Sequence, residues 1–205
     1  MLRRAKSESC RLAMVVAAVS VLAGCSKGGE GSEAREPACG NYFSPKYASA
    51  LGEAGESRGD VVKPGELRES LREDLENWGP GSPPIELPEY IVCHIQDNST
   101  YLSTVEWSVD SMRRMREGGK WDKGPGDVYF AKPMRAGGDA ATGFPCKISG
   151  TDAAQESELP IEVRVGVPGS RTHEFEESMA LDLARSVRKI MQCENNPVIP
   201  EKPGL

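Results

Sequence analysis

Two segments of the chain carry apolar residues at the spacing of one helix face. After Pro64, the apolar positions recur at intervals of four, four and three: Leu67, Leu71, Leu75 and Trp78. Near the C-terminus the repeat comprises Phe175, Met179, Leu183, Val187, Ile190 and Met191. We predict amphipathic helices over residues 64–78 and 172–193, and shorter helices over 45–51 and 112–117.

Alternation of apolar and polar residues predicts strands elsewhere. It is clearest over residues 159–167, where the apolar positions are Leu159, Ile161, Val163, Val165 and Val167. This pattern indicates an antiparallel strand with one buried and one solvent-facing side. Residues 90–96 and 100–109 predict a hairpin, and shorter strands are predicted at 128–130 and 144–149. We therefore predict an α+β fold: an antiparallel sheet of about five strands with amphipathic helices packed on one face.

The N-terminus has the order of an export signal. A basic start is followed by thirteen positions, 12–24, of which only Ser20 is polar. Such a run is too short to span a bilayer, which takes about 20 apolar residues. Residues 1–24 are therefore predicted to be a signal peptide.

The tetrapeptide Leu22-Ala23-Gly24-Cys25 at the end of this run resembles the lipobox of bacterial lipoprotein precursors. The resemblance implies that the Cys25 thiol receives a diacylglycerol and that cleavage just before it makes Cys25 the mature N-terminus. Several acyl chains hold a protein durably on a membrane, whereas one does so only marginally. The alternative is an ordinary cleaved signal peptide with an incidental cysteine.

The remaining chain divides into three predicted parts. Residues 25–38 are small and polar and predict a flexible tether. Residues 39–196 are predicted to form a single disulfide-stapled domain. Residues 197–205 contain three of the chain's prolines and predict an extended tail.

Charge narrows the choice of partners. Removing the four basic residues and the one acid of residues 1–24 from the chain's 25 basic and 31 acidic residues leaves a net charge of −9. Nucleic-acid binding is excluded on this balance, because phosphate contacts require a basic surface. Electrostatic adhesion to anionic lipid is also disfavoured, so the predicted bilayer contact is the acylated Cys25 alone.

Four cysteines remain in the predicted domain: Cys39, Cys93, Cys146 and Cys193. An even number in an exported chain predicts disulfides. We favour Cys39–Cys93 and Cys146–Cys193, because each closes a loop of roughly 50 residues within one half of the chain and contributes about 3–4 kcal/mol. A catalytic thiol is the alternative, but no Cys/His/Asn pattern accompanies it.

No catalytic motif, cofactor-binding motif or metal-ligand spacing is present, so the sequence predicts no catalytic residue, cofactor or metal. His94 and His173 are interpreted as surface or packing residues. Trp107 is assigned to the core. Trp121, in a glycine-rich segment, is predicted to be an exposed contact aromatic.

The overall pattern resembles the small predicted lipoproteins of actinobacteria. The resemblance rests on the lipobox, the polar tether, the four cysteines and the ending Cys193-Glu194-Asn195-Asn196-Pro197. It implies an envelope-attached domain and carries over no site residues. We predict a lipid-anchored, non-catalytic binding or interaction domain on the extracytoplasmic face of the cell membrane. The alternatives are an exported hydrolase, with a shallow site built from scattered Asp, Glu and His94, and a cell-wall assembly accessory factor.

Overall fold

The strands of the described residues form one antiparallel sheet of six strands in the order β1-β2-β6-β5-β4-β3. The structure is a computed structural model that describes residues 39–54, 61–76, 78–80, 87–96, 100–132, 139–166 and 173–204. The strands are β1 (Tyr90–Gln96), β2 (Thr100–Trp107), β3 (Trp121–Lys123), β4 (Tyr129–Ala131), β5 (Ala140–Phe144) and β6 (Ile161–Gly166). The predicted signal peptide, Cys25 and tether lie outside the described residues.

Helices cover both faces of this sheet. In chain order they are α1 (Pro45–Ala54), α2 (Pro64–Glu76), α3 (Met112–Glu117), α4 (Gln155–Glu158) and α5 (His173–Met191). The predicted α+β class is confirmed, with six strands rather than about five. None of the helices in the described ranges is long and apolar enough to cross a membrane.

The principal core lies on the sheet face that the long amphipathic helices cover. Alternate side chains of β2 and β6, such as Val105 and Val163, pair across the strands and are fully buried there. α5 packs on β5 and β6, and the stripe Leu67, Leu71 and Leu75 of α2 joins the same core. The buried Trp107 Nε1 donates a 2.8 Å hydrogen bond to the Leu71 carbonyl, which fixes α2 against β2.

The opposite sheet face carries a second, smaller core under α3. Met115 of α3 is fully buried against Trp121, Tyr129 and Ala141. At the centre of this contact, Gly143 of β5 faces the Met115 side chain so closely that a Cβ would lie 2.7 Å from the Met115 sulfur. The glycine therefore lets α3 seat directly on the sheet.

Several predicted elements differ from the structure. Residues 144–149 were predicted to be a strand, but the strand is Ala140–Phe144, and β3 and α4 were not predicted.

Three predicted strands differ in length or burial. Strand β2 ends at Trp107, and Val109 beyond it is 53% exposed. β6 is not half-buried: it is a central strand whose outward Glu162 is also buried. A register shift between Ile91 and Cys93 in β1 leaves Ile91 exposed and Cys93 fully buried.

Both predicted disulfides are present. Cys39–Cys93 ties the segment before α1 to β1, and Cys146–Cys193 ties the segment after β5 to the end of α5. Beyond Cys193 the chain turns back onto the domain, where Pro197 and Ile199 are buried. Arg188 Nη1 donates a 2.9 Å hydrogen bond to the Pro197 carbonyl, so α5 itself holds the start of the tail.

Candidate functional site

The aromatic residue that the sequence predicted as an exposed contact is buried. Trp121 is 8% exposed, packs in the core under α3 and donates from Nε1 to Asp110 Oδ2 at 3.1 Å. The prediction was wrong because residues 121–123 form a strand whose first side chain points toward Met115. Trp107 is fully buried, as predicted.

The two histidines lie far from any shared polar centre. His94 pairs with Leu102 on the edge strand β1, on the sheet face opposite the principal core. His173 begins α5, where its ring nitrogens contact Glu176 and Glu177 of the same helix. The hydrolase alternative required acids to converge on His94, and no such hydrogen bond or ion pair is found in the described part of the chain.

One carboxylate cluster does exist, on β2 and β6. Glu106 and Glu162 are directly opposite each other in the strand register, and Arg164 bridges them. Its Nε donates to Glu106 Oε1 at 3.1 Å, and its Nη2 contacts Glu162 Oε1. Ser108 Oγ donates a 2.7 Å hydrogen bond to the other Glu162 oxygen, Oε2.

Burial raises the pKa of Glu162. The Arg164 charge and the Ser108 hydrogen bond oppose the shift, while Glu106 and Asp110 add to it. A paired acid with a raised pKa is a common feature of catalytic sites, and also of structural ion-pair networks. The Glu162 side chain is only 4% exposed, so no substrate reaches it in this conformation. We therefore interpret this cluster as structural.

An open cleft of about 480 Å³ lies between α3 and α4. Its apolar lining comes from Met112 of α3, Tyr129 of β4, Pro145 after β5 and Pro197 of the tail. This volume falls within the range of about 300–1,000 Å³ typical of small-molecule sites. We name this feature the α3–α4 cleft.

The cleft is assembled from segments that the fold holds rigidly. Gln155, fully buried, donates from Nε2 to the Cys146 carbonyl and accepts at Oε1 from the Ile148 amide. This fixes α4, which contributes Glu156 and Ser157 to the lining, beside the Cys146–Cys193 disulfide. Buried polar groups of this kind specify one arrangement when all their hydrogen bonds are satisfied.

The tail closes another wall of the cleft by pairing with the turn before β4. Asp127 and Val198 exchange two hydrogen bonds, from the Asp127 amide to the Val198 carbonyl and from the Val198 amide to Asp127 Oδ2. Gly126 has a φ of 68°, and a Cβ there would collide with the Val198 carbonyl oxygen. Only glycine satisfies both conditions.

Charged side chains surround the cleft: Arg116 on α3, Glu156 on α4, and Lys123 and Asp127 beside Tyr129. The groups whose pKa is shifted in the described residues, such as Glu162 and Asp74, do not line it. No cluster of three metal-ligating side chains occurs within the described ranges. The arrangement is suited to holding a small ligand by an apolar surface and a few charges.

Sequence reasoning did not identify the cleft. Its lining residues come from α3, the β3–β4 hairpin, α4 and the tail, which are remote in the chain. The available signals were the Met112–Met115–Trp121 spacing and the polar Gln155 between apolar segments, and neither indicates a cavity without the strand order.

No protein-family model, curated protein or solved structure matches this chain. The function therefore has to be inferred from the chain's own residues.

Proposed function

We propose that this protein is a lipid-anchored component of the bacterial cell envelope whose domain binds a small ligand in the α3–α4 cleft without transforming it. The observation that supports binding is the cleft itself: apolar side chains next to four charged ones, in a volume of about 480 Å³. The lipobox Leu22-Ala23-Gly24-Cys25 supports the anchor. The two disulfides are consistent with an exported domain.

Anchoring is tested with Cys25→Ser. The acyl chains are the proposed hold on the membrane, because a domain of net charge −9 is not attracted to anionic lipid. Fractionation of producing cells should find the wild type in the membrane fraction and the variant in soluble exported material. A variant that stays in the membrane fraction as firmly as the wild type contradicts the anchor.

Ligand binding is tested with a saturation-transfer NMR screen of small aromatic and aliphatic fragments against the full mature chain. Ser157→Trp places an indole in the cleft from its exposed rim on α4. Ser149→Trp is the matched control, since Ser149 is exposed and does not line the cleft. Fragments should bind the wild type and the control, and binding should weaken at least about tenfold in Ser157→Trp, because the indole occupies the ligand volume.

Two results would overturn the binding proposal. One is a screen without hits on the wild type. The other is a set of hits whose affinities are the same in Ser157→Trp, because such fragments bind elsewhere.

A further inference from the structure

The charges that line the α3–α4 cleft are not equally available to a ligand. Lys123 is engaged internally: its ammonium donates to the carbonyls of Gly126 and Val128 and lies 4.8 Å from the centre of the Tyr129 ring. Asp127 is engaged as well, because its Oδ2 accepts the Val198 amide at 2.7 Å. These two residues build the wall of the cleft.

Arg116 and Glu156 are different. Within the described part of the chain, neither makes a hydrogen bond or an ion pair, and no ion pair joins them to each other. Arg116 is exposed on α3, and Glu156 is partly buried on α4. Their helices pack against each other, and both side chains line the same cleft. As far as the described residues go, the cleft therefore offers Arg116 as a cation and Glu156 as an anion that other side chains do not engage.

The surface between these charges carries apolar side chains and three further polar ones, those of Tyr129, Ser157 and Asn195. The Ser157 hydroxyl and the Asn195 amide are hydrogen-bonded within the chain. Met112, Pro145 and Pro197 contribute no side-chain hydrogen-bonding group other than a thioether. The Tyr129 hydroxyl has no hydrogen-bond partner among the residues that the structure describes. A ligand that fits this lining carries an apolar body between two opposite charges.

We propose that the α3–α4 cleft binds a small zwitterion with an apolar body, of the class of hydrophobic amino acids and short peptides, and this inference rests on the proposed binding function. Arg116 pairs with the ligand carboxylate, since a guanidinium presents a fork of donors that matches a carboxylate. Glu156 accepts from the ligand ammonium. The side chain of the ligand lies on Met112 and Tyr129.

The charge of the whole chain favours this class over a simple anion. A net charge of −9 on the mature chain repels an anionic ligand at long range. A zwitterion carries no net charge and approaches without that penalty. Salt is therefore expected to weaken its binding through the two ion pairs at the cleft.

The test uses isothermal titration calorimetry of the full mature chain with four probes. They are the dipeptide alanyl-phenylalanine, its N-acetyl form, its C-terminal amide, and the form blocked at both ends. Blocking either end removes one charge, so each single block should weaken binding about five- to tenfold relative to the free dipeptide.

Variants assign each end of the ligand to its residue. Arg116→Met should weaken the free dipeptide about five- to tenfold and leave the C-terminal amide unchanged, because the amide has no carboxylate to lose. Glu156→Gln should weaken the free dipeptide similarly and leave the N-acetyl form unchanged. Arg113→Met and Glu158→Gln are the matched controls, since both are exposed on the same two helices outside the cleft.

Each other outcome overturns the inference. Equal binding of all four probes, no binding of any of them, or penalties for blocking that persist unchanged in both variants would show that these charges do not select the ligand. The proposed function fails separately: fragments that bind the wild type but not Ser157→Trp sustain the cleft as a site even if the dipeptide series fails.

Discussion

Glu162 shows how this fold accommodates a buried carboxylate on the outward face of its sheet. Strand β6 is a central strand, and its outward-facing Glu162 is buried while Arg164 on the same face stays partly exposed. A buried carboxylate is tolerated when charges and hydrogen bonds compensate it. Arg164 of the same strand and Ser108, directly after β2, provide that compensation.

The raised pKa of Glu162 predicts a pH-dependent stability. From the ordinary value of 4.5 up to the folded-state pKa, the folded chain keeps a proton that the unfolded chain has released. In that range the contribution of Glu162 to the free energy of unfolding falls as the pH rises. Glu162→Gln does not titrate, and its amide oxygen still accepts from Ser108. The stability of the variant relative to the wild type should therefore rise with pH above 4.5, as measured by urea denaturation between pH 4 and pH 8. A constant or falling difference would contradict the assignment.

Gln155 is the residue that positions the α4 side of the cleft. Gln155→Met keeps the approximate volume but leaves the Cys146 and Leu159 carbonyls and the Ile148 amide without this partner. We expect a loss of about 2–4 kcal/mol in the free energy of unfolding, since buried unsatisfied groups cost about 1–3 kcal/mol each and the site relaxes in part. Denaturant titration measures it, with the exposed Glu158→Gln as control. A loss within about 0.5 kcal/mol of that control would be incompatible with a positioning role.

At the scale of elements, periodicity predicted the helices and strands whose burial is one-sided or strictly alternating. The stripe of α2 and the β1–β2 hairpin follow directly from sequence, as does the presence of β6, although β6 is buried on both faces. Trp121 was misassigned because a three-residue strand is too short to show a period. The strand β5 was missed, and a strand at 144–149 was predicted in its place. The residues of β5 are buried on both faces, so its sequence does not alternate.

The Cys146–Cys193 disulfide joins the segment after β5, which lines the cleft through Pro145, to the end of α5, where the tail begins. Replacing both cysteines by alanine should lower the free energy of unfolding by about 4 kcal/mol in the chain-entropy model, for a sequence separation of 47 residues. It should also release the tail, because Cys193 immediately precedes the residues that pack beside Pro145. Urea denaturation and proteolysis of the C-terminal residues measure the two effects. Unchanged stability and an equally protected tail would contradict this role.

Two glycines with matching backbone angles isolate the contact between the tail and the β3–β4 turn. Gly119 and Gly126 have φ values of 69° and 68°, but only Gly126 lies against Val198. Gly119→Ala should cost about 1–2 kcal/mol from the backbone angle alone. Gly126→Ala should cost at least about 1 kcal/mol more and speed amide exchange at Val198, because the tail has to move. Equal costs with unchanged exchange would show that the tail does not depend on this contact.

For the whole molecule, we propose an acylated N-terminus on a domain that contains two disulfides and the α3–α4 cleft. Composition and the N-terminal pattern predict the location, because export signals are read from local residue order. The ligand site depends on strand order, which places α3, α4 and the tail together, and no local pattern encodes that order. The charge of −9 is a property of the whole chain, and it leaves the acyl chains as the proposed membrane contact.

The most direct measurement is the intact mass of the protein purified from the membranes of its producing cell, followed by peptide mapping without reduction. The account predicts a chain that begins at Cys25, carries a diacylglycerol on that residue, and contains the Cys39–Cys93 and Cys146–Cys193 bridges. A mature chain with an unmodified Cys25, or one that still holds residues 1–24, would contradict it.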